Sequence, residues 1–240
     1  MRENMYLYET HLHSSECSAC ASSTAREMVR RYKEAGYAGF VLTNHFITGC
    51  TCVPKELNWD EKMKIYYDAY LEAKDEADQL DFDVFFGIEH HYGQGKEVLV
   101  YGIDLDFLKS HPEIETSDLD TFAKLVHEEG GILIHAHPHR KRGYIQEGVM
   151  PRYDLCDGIE VYNGGDDYAI NDMAYQDAIR LDRFMTSGGD VHMTSEGRIG
   201  RTGNIFERRI RTMDELIEAL RNREGYLLID GEQREHESYS

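Results

Sequence analysis

The histidines of this chain gather where strands are expected to end. His11 and His13 follow the apolar run Met5–Glu9, His45 follows Gly39–Thr43, and Glu89, His90 and His91 follow Val84–Ile88. His135, His137 and His139 come after Ile132–Ile134, and Asp190 and His192 after Phe184–Ser187. Nine of the twelve histidines thus sit at strand ends, which in a parallel α/β barrel converge on the face where such folds hold their sites. Residues two apart in extended chain point the same way. His11-x-His13, Asp190-x-His192 and His135-x-His137 are therefore each expected to aim two side chains into one cavity. Neutral imidazole with carboxylate suits zinc, manganese and iron, and a carboxylate such as Glu89 can bridge two cations. Cations held that close polarise a phosphoryl group and acidify a bound water. Converging buried imidazoles and carboxylates without a metal would be costly. His111, His127 and His236, in a loop, on a helix and in a polar tail, read as ordinary residues.

Positioning such a set requires alternating strands and helices. Helical periodicity is clearest over Trp59–Leu80, where Trp59, Met63, Tyr66, Tyr70, Ala77 and Leu80 recur at steps of three and four. Thr24–Ala35, Leu119–Glu129 and Met213–Arg223 also read as helices, with Gly36 and Gly130 placed to end two of them. Further strands are expected at Val98–Gly102, Ile159–Tyr162 and Tyr226–Ile229. Several runs are apolar throughout, as in strands covered on both faces. The alternation implies a parallel sheet, open or closed into a barrel, in one α/β domain over residues 1–232 followed by a polar tail at 233–240.

The motifs His11-Leu12-His13, Thr43-Asn44-His45, Gly87-Ile88-Glu89, His135-Ala136-His137-Pro138 and Gly189-Asp190-Val191-His192, in that order, resemble the PHP (polymerase and histidinol phosphatase) superfamily of metal-dependent phosphoesterases. The resemblance implies a distorted (β/α)7 barrel with two or three divalent cations hydrolysing a phosphoester by metal-activated hydroxide. It implies that His11, His13, Glu89 and Asp190 hold one cation, with Glu89 bridging. Glu89, His137 and a ligand before the fourth strand, here Glu97, would hold a second. His45, His192 and a residue of the loop after His13 would hold a third; Cys20 falls at that place, with Glu16 and Cys17 as alternatives. His11, His13, Glu89, His137, Asp190 and His192 are thereby the expected catalytic set. Three departures stand out: Glu97 where histidine is common, Cys20 where histidine or aspartate is usual, and Asn44 in place of an aspartate.

Positive charge beside His137, in His139-Arg140-Lys141-Arg142, and Arg198 in the Gly-rich stretch after His192 are candidates to bind phosphate, since a guanidinium matches it bidentately. Arg140, His139 and Arg198 are the expected substrate contacts, and Glu160 and Asn163 are placed to line or buttress the cavity. Asp plus Glu number 45 against 26 Lys plus Arg, a formal charge of −19, which repels nucleic acid and anionic membranes. A small phosphorylated substrate such as a nucleotide, amino-alcohol phosphate or sugar phosphate fits better than a polynucleotide. No apolar run approaches the length of a membrane span, the first residues lack an apolar leader, and five cysteines leave an odd thiol; a reducing cytoplasm is expected. The alternatives are a metal-dependent amidohydrolase, which also uses HxH after a first strand, and a PHP-like metal-binding module without hydrolase activity.

Overall fold

The computed structural model describes residues 5–236, so residues 1–4 and the last part of the expected tail, 237–240, lie outside the described residues. Ten strands form one strongly curled sheet, in the order β10-β9-β8-β1-β2-β3-β4-β5-β6-β7. The strands β1 (Tyr6–Leu12), β2 (Gly39–His45) and β3 (Asp83–Gly93) pair in parallel. So do β5 (Ile132–His135), β6 (Gly158–Asn163) and β7 (Phe184–Gly188). Between the two sets β4 (Lys96–Tyr101) is antiparallel to both neighbours. The expectation of uniformly parallel strands is corrected here. Gln94 and Gly95, at φ of 56° and 81°, make a tight turn that sends β4 straight back along β3.

The barrel closes behind β7. Asp190 N–H donates to His11 O and His13 N–H to Val191 O, both at 2.8 Å, with Leu12 bridged in parallel to Val191. The first half of β1 instead pairs antiparallel with β8 (Thr202–Phe206), which carries β9 (Tyr226–Ile229) and β10 (Glu232–Glu235). Thus β1 divides its edge between β8 at one end and the ligand-bearing turn after β7 at the other. The start of the expected polar tail, residues 233–235, lies in the exposed strand β10.

Four expected helices are present with ends displaced by at most two residues: α1 (Ala25–Glu34), α2 (Trp59–Gln79), α4 (Leu119–Glu129) and α6 (Met213–Arg221). Thr24 with Glu27 and Asn58 with Glu61 form reciprocal capping boxes at α1 and α2, satisfying N–H groups a helix start leaves open. Gly130 ends α4 at φ of 92°, a conformation glycine adopts without strain. The helices α3 (Leu105–Ser110) and α5 (Tyr168–Arg180) were not legible as periodic runs. Met28, Val29, Tyr32, Met63, Tyr66 and Phe122 pack the helices onto the sheet. Tyr8, Leu99, Ile134 and Phe206 fill the barrel's other layer.

Candidate metal centre

Seven of the expected ligands are buried, His11, His13, Glu89 and His137 at 4 % exposure or less, Asp190 at 5 %, Glu97 at 6 % and His45 at 8 %, while His192 is half-buried and Cys20 exposed. Their donor atoms form four overlapping groups: His11–His13–Glu89, His11–His137–Asp190, His45–Glu89–Glu97 and His13–His45–His192. Glu89 is the hub. Its Oε1 lies 3.2 Å from His11 Nε2 and 2.9 Å from His137 Nε2. Its Oε2 lies 3.5 Å from His13 Nε2 and 2.7 Å from His45 Nδ1. Asp190 Oδ1 closes the first group at 3.2 Å from His13 Nε2 and 3.6 Å from His11 Nε2. Glu97 reaches His137 Nε2 and His45 Nδ1, at 3.5 and 3.6 Å.

The hydrogen bonds behind these rings settle which nitrogens carry protons. His11 Nδ1–H donates to Glu160 Oε1 at 2.8 Å. Ser18 O–H donates to Asn44 Oδ1 at 2.9 Å, so the hydroxyl accepts from His13 Nδ1–H at 3.2 Å and from His45 N–H at 3.0 Å. His192 Nδ1–H donates to the Asp190 carbonyl at 2.9 Å. In neutral rings the Nε2 atoms of His11, His13 and His192 are then bare acceptors, and those of His11 and His13 stand 3.2 Å apart. Facing lone pairs among carboxylates repel unless a cation or a proton lies between them. His45 Nδ1 and Glu89 Oε2, despite their approach, make no well-directed hydrogen bond to any group. Buried polar atoms left so are costly, and this donor set of imidazole and carboxylate fits divalent zinc, manganese or iron.

The electrostatics agree with that geometry. Burial alone would lower the His11 pKa, but Glu160, Glu89 and Asp190 raise it well above the ordinary histidine value. Burial and the neighbouring His45 hold His13 well below it. Burial disfavours ionised Glu89 and Asp190, yet His11 and His45 for the one and Arg140 and His11 for the other keep both well below the usual carboxylate range. Burial and the Glu89 charge push Glu97 up to about 7. Burial raises the Cys20 thiol, but hydrogen bonds from His192 and His45 outweigh it and bring it to about 6.

Several expectations are corrected. His45 is not confined to the third group: its Nδ1 faces Glu89 and Glu97 of the second. His135 does not join His137 in the cavity. Its Nδ1–H donates to Ala136 O at 3.0 Å and its Nε2 accepts from Tyr92 O–H at 2.8 Å. His90 and His91 lie within β3, His90 against Phe122 and Phe46. His139 turns toward Asp177 of α5 at 2.7 Å and toward Tyr153, in the turn before β6, at 3.2 Å. Arg140 is 9 % exposed, with Nη2 at 2.7 Å from Asp190 Oδ2 and 2.9 Å from Asn163 Oδ1, and Nε on Asp166 at 3.0 Å. Its Nε and Nη2 thus hold Asp190, Asn163 and Asp166 in place. Arg198 pairs with Glu196 and lies across Gly165 from Arg140, where an added Cβ would meet both guanidinium groups. Asn44 does not touch the His45 ring; its carbonyl oxygen orders Ser14 and Ser18.

Two buttressing residues had little signal in the sequence. Ser18 lies in a polar loop with nothing to mark it. Glu9 is a carboxylate that ends the apolar run of β1, which is the one signal it gives. Fully buried, its Oε1 accepts from Thr10, His11 and Gly189 N–H at 2.8–3.0 Å, and its Oε2 from Thr202 and Tyr32 hydroxyls at 2.8 and 3.3 Å. It ties the backbone of His11 to the residue before Asp190 across the barrel seam. Asp190 at φ of 51° and His137 at φ of 28° are held in a backbone region that costs non-glycine residues on the order of 1–3 kcal/mol and is found where function over-determines geometry.

No family model and no curated protein sequence matches the chain, but its fold matches solved structures at low identity. A two-domain protein from Bacteroides vulgatus, containing a predicted PHP-like metal-dependent phosphoesterase, superposes at a TM-score of 0.71 with 16% identity, over 96% of this chain and 66% of that one. This chain thus spans just under two thirds of that protein. An amidohydrolase from Chromobacterium violaceum with bound sulfate and no metal matches at 0.59 and 17% over 88% and 96% of the two chains. Endonuclease Q, in complex with duplex DNA carrying an abasic lesion, matches at 0.62 and 16% over 91% and 57%. The architecture is therefore the distorted barrel shared by PHP-like and amidohydrolase-type proteins. No helix among the described residues is long and apolar enough to cross a membrane.

Proposed function

We propose that this protein is a metal-dependent phosphoesterase that hydrolyses a small phosphomonoester. Glu89 carries the reading: each of its oxygens faces an imidazole from both ligand sets, Oε1 meeting His11 and His137 and Oε2 meeting His13 and His45, so that one carboxylate is shared between them. That arrangement is what a bridge between cations needs. His11, His13, Glu89 and Asp190 would hold one cation, and Glu89, Glu97 and His137, with His45 turned toward them, a second. His45, His192 and Cys20 would hold a third. Bound divalent cations supply Lewis-acid stabilisation of a phosphoryl group and a water acidic enough to attack near neutral pH.

The protein's own groups prepare that chemistry. Glu160, Ser18 and the Asp190 carbonyl keep protons on the Nδ1 atoms, so that Nε2 faces the cavity; such outer partners orient ligands and raise their basicity. Arg140 fixes Asp190 in its ionised form, leaving one carboxylate oxygen toward His11 and His13. Arg198, across Gly165 from Arg140, is at hand for the phosphate. The charge of −19 disfavours a polynucleotide substrate, and the cytoplasm, with its phosphorylated metabolites, is the setting this reading assumes.

The test is a chelation and restoration series on purified protein with nucleotides, amino-alcohol phosphates and sugar phosphates. Hydrolysis should disappear with chelator and return with manganese, zinc or iron(II). Metal-loaded protein that cleaves amides and no phosphoester would be an amidohydrolase; metal-loaded protein that cleaves neither would be a binding module.

A further inference from the structure

The groups that support His11 and Asp190 meet on one side chain. Glu160 Oε1 accepts from His11 Nδ1–H at 2.8 Å and its Oε2 from the His137 N–H at 2.9 Å, while Arg140 Nη2 holds Asp190 Oδ2 at 2.7 Å. Asn163, the last residue of β6, is fully buried and touches both supports. Its Nδ2 donates to Glu160 Oε2 at 2.9 Å, and its Oδ1 accepts from Arg140 Nη2 at 2.9 Å and from Gly165 N–H at 2.8 Å. A carboxylate at one end and two N–H donors at the other fix which end of the amide is oxygen. The position needs an amide: a carboxylate has no donor for Glu160, and an ammonium has no acceptor for Arg140.

Asn163 is itself held from α5. The buried Asn171 accepts the Asn163 N–H at Oδ1, 3.0 Å away, and its Nδ2 donates to Asn163 O at 3.1 Å and to Asp166 O at 3.4 Å. A side-chain amide thus pairs with the end of β6 as the backbone of a neighbouring strand would. Asp166, fixed by the same contact, takes Arg140 Nε at 3.0 Å. We infer that Asn163 is a positioning residue that locks Glu160 to Arg140, and that Asn171 sets its direction from outside the barrel. His11 and Asp190, from opposite ends of the chain, then share one support, and metal affinity depends on a helix that supplies no ligand. The inference rests on the metal-centre reading.

Zinc affinity of metal-free, full-length protein, measured by competition with a chromophoric chelator, tests this without any activity. Asn163→Asp keeps the shape but sets an oxygen against Glu160, and affinity should fall about 10–100-fold with the circular dichroism spectrum unchanged. Combining it with Glu160→Gln reverses donor and acceptor, so the new amide can donate to the new carboxylate. The double variant should then lose no more than Glu160→Gln alone, whereas a merely structural role would multiply the two losses to roughly 10²–10⁴-fold. Asn171→Ala should lower affinity by a smaller factor, and it carries the test if Asn163→Asp does not fold. Multiplied losses in the double variant, or wild-type affinity in Asn163→Asp or Asn171→Ala, overturn the inference and leave the metal centre standing. Wild-type protein that takes up no zinc overturns both.

Discussion

The chain carries the spacing His-x-His at the end of β1, as His11-x-His13, and at the end of β5, as His135-x-His137, and the two copies behave differently. In His11-x-His13 both rings enter the cavity, both have their Nδ1 protons taken by Glu160 and Ser18, and both Nε2 atoms face Glu89 and Asp190. In His135-x-His137 only His137 reaches Glu89. β5 ends at His135, and His137 takes up a φ of 28°, so the alternation that puts residues two apart on one side is broken. His135 is left as a core residue with both nitrogens satisfied, and burial holds its pKa at about 3. A spacing rule taken from extended chain thus places two ligands together only while the backbone stays extended. At β5 the strained turn brings in one ligand, His137, and directs its N–H to Glu160 at 2.9 Å.

The largest effect should come from the residue that joins the two copies. Glu89→Gln removes a charge faced by four imidazoles. A loss of about 4 kcal/mol, typical of breaking a buried charged set, corresponds to an activity about 10³-fold lower. His45→Gln should cost less, because it serves Glu89 from one side only. Equal, mild losses from both in phosphatase assays would show that Glu89 is no bridge.

The comparison itself is sharpened by two alanine variants. His137→Ala should lower the metal content by one equivalent. His135→Ala should leave metal content and activity within a few-fold of wild type, while the lost Tyr92 bond lowers the melting temperature by roughly 5 °C. Metal loss from His135→Ala, seen by elemental analysis, would break the distinction.

Smaller effects are expected behind the first copy. Glu160→Gln keeps the shape but weakens the acceptor for His11 Nδ1–H, and metal affinity should fall about 10–100-fold with the fold intact by circular dichroism. Metal loading should also release protons. Without metal, Glu97 keeps its proton up to about 7 and His11 keeps one well above the ordinary histidine value because Glu160, Glu89 and Asp190 face it, and each must lose it to bind a cation. Zinc added to metal-free protein at pH 6 in weak buffer should therefore acidify the solution, and affinity should rise with pH. A titration with no proton release would contradict these assignments.

Much of the fold was legible because the strands around the site are continuous apolar runs and the long helices are amphipathic and capped. β8 escaped notice because Thr202-Gly203-Asn204 carries no apolar alternation; its Thr202 and Asn204 face Glu9 and Thr10 inside the barrel. α5 escaped because Tyr168–Arg180 buries only Asn171, Ala174 and Ala178, small or polar residues that leave no periodic stripe. At the centre, motif order pointed to His11, His13, His45, Glu89, Glu97, His137, Asp190 and His192, whose donor atoms fall into overlapping groups. What spacing could not convey was direction: whether Arg140 turns inward to Asp190 or outward to solvent, and whether His139 faces the cavity or α5. Those choices depend on Asp166, Asn163 and Asp177, which reach the same place from later in the chain.

The central claim is that cations lie on both sides of Glu89, and anomalous diffraction from crystals soaked in manganese measures that directly. The account predicts two peaks at the manganese edge, one among His11, His13, Glu89 and Asp190 and one among Glu89, Glu97 and His137, each at about 2.0–2.2 Å from its donors. Soaked crystals with no peak among these residues, or with a single peak that Glu89 does not touch, would contradict it.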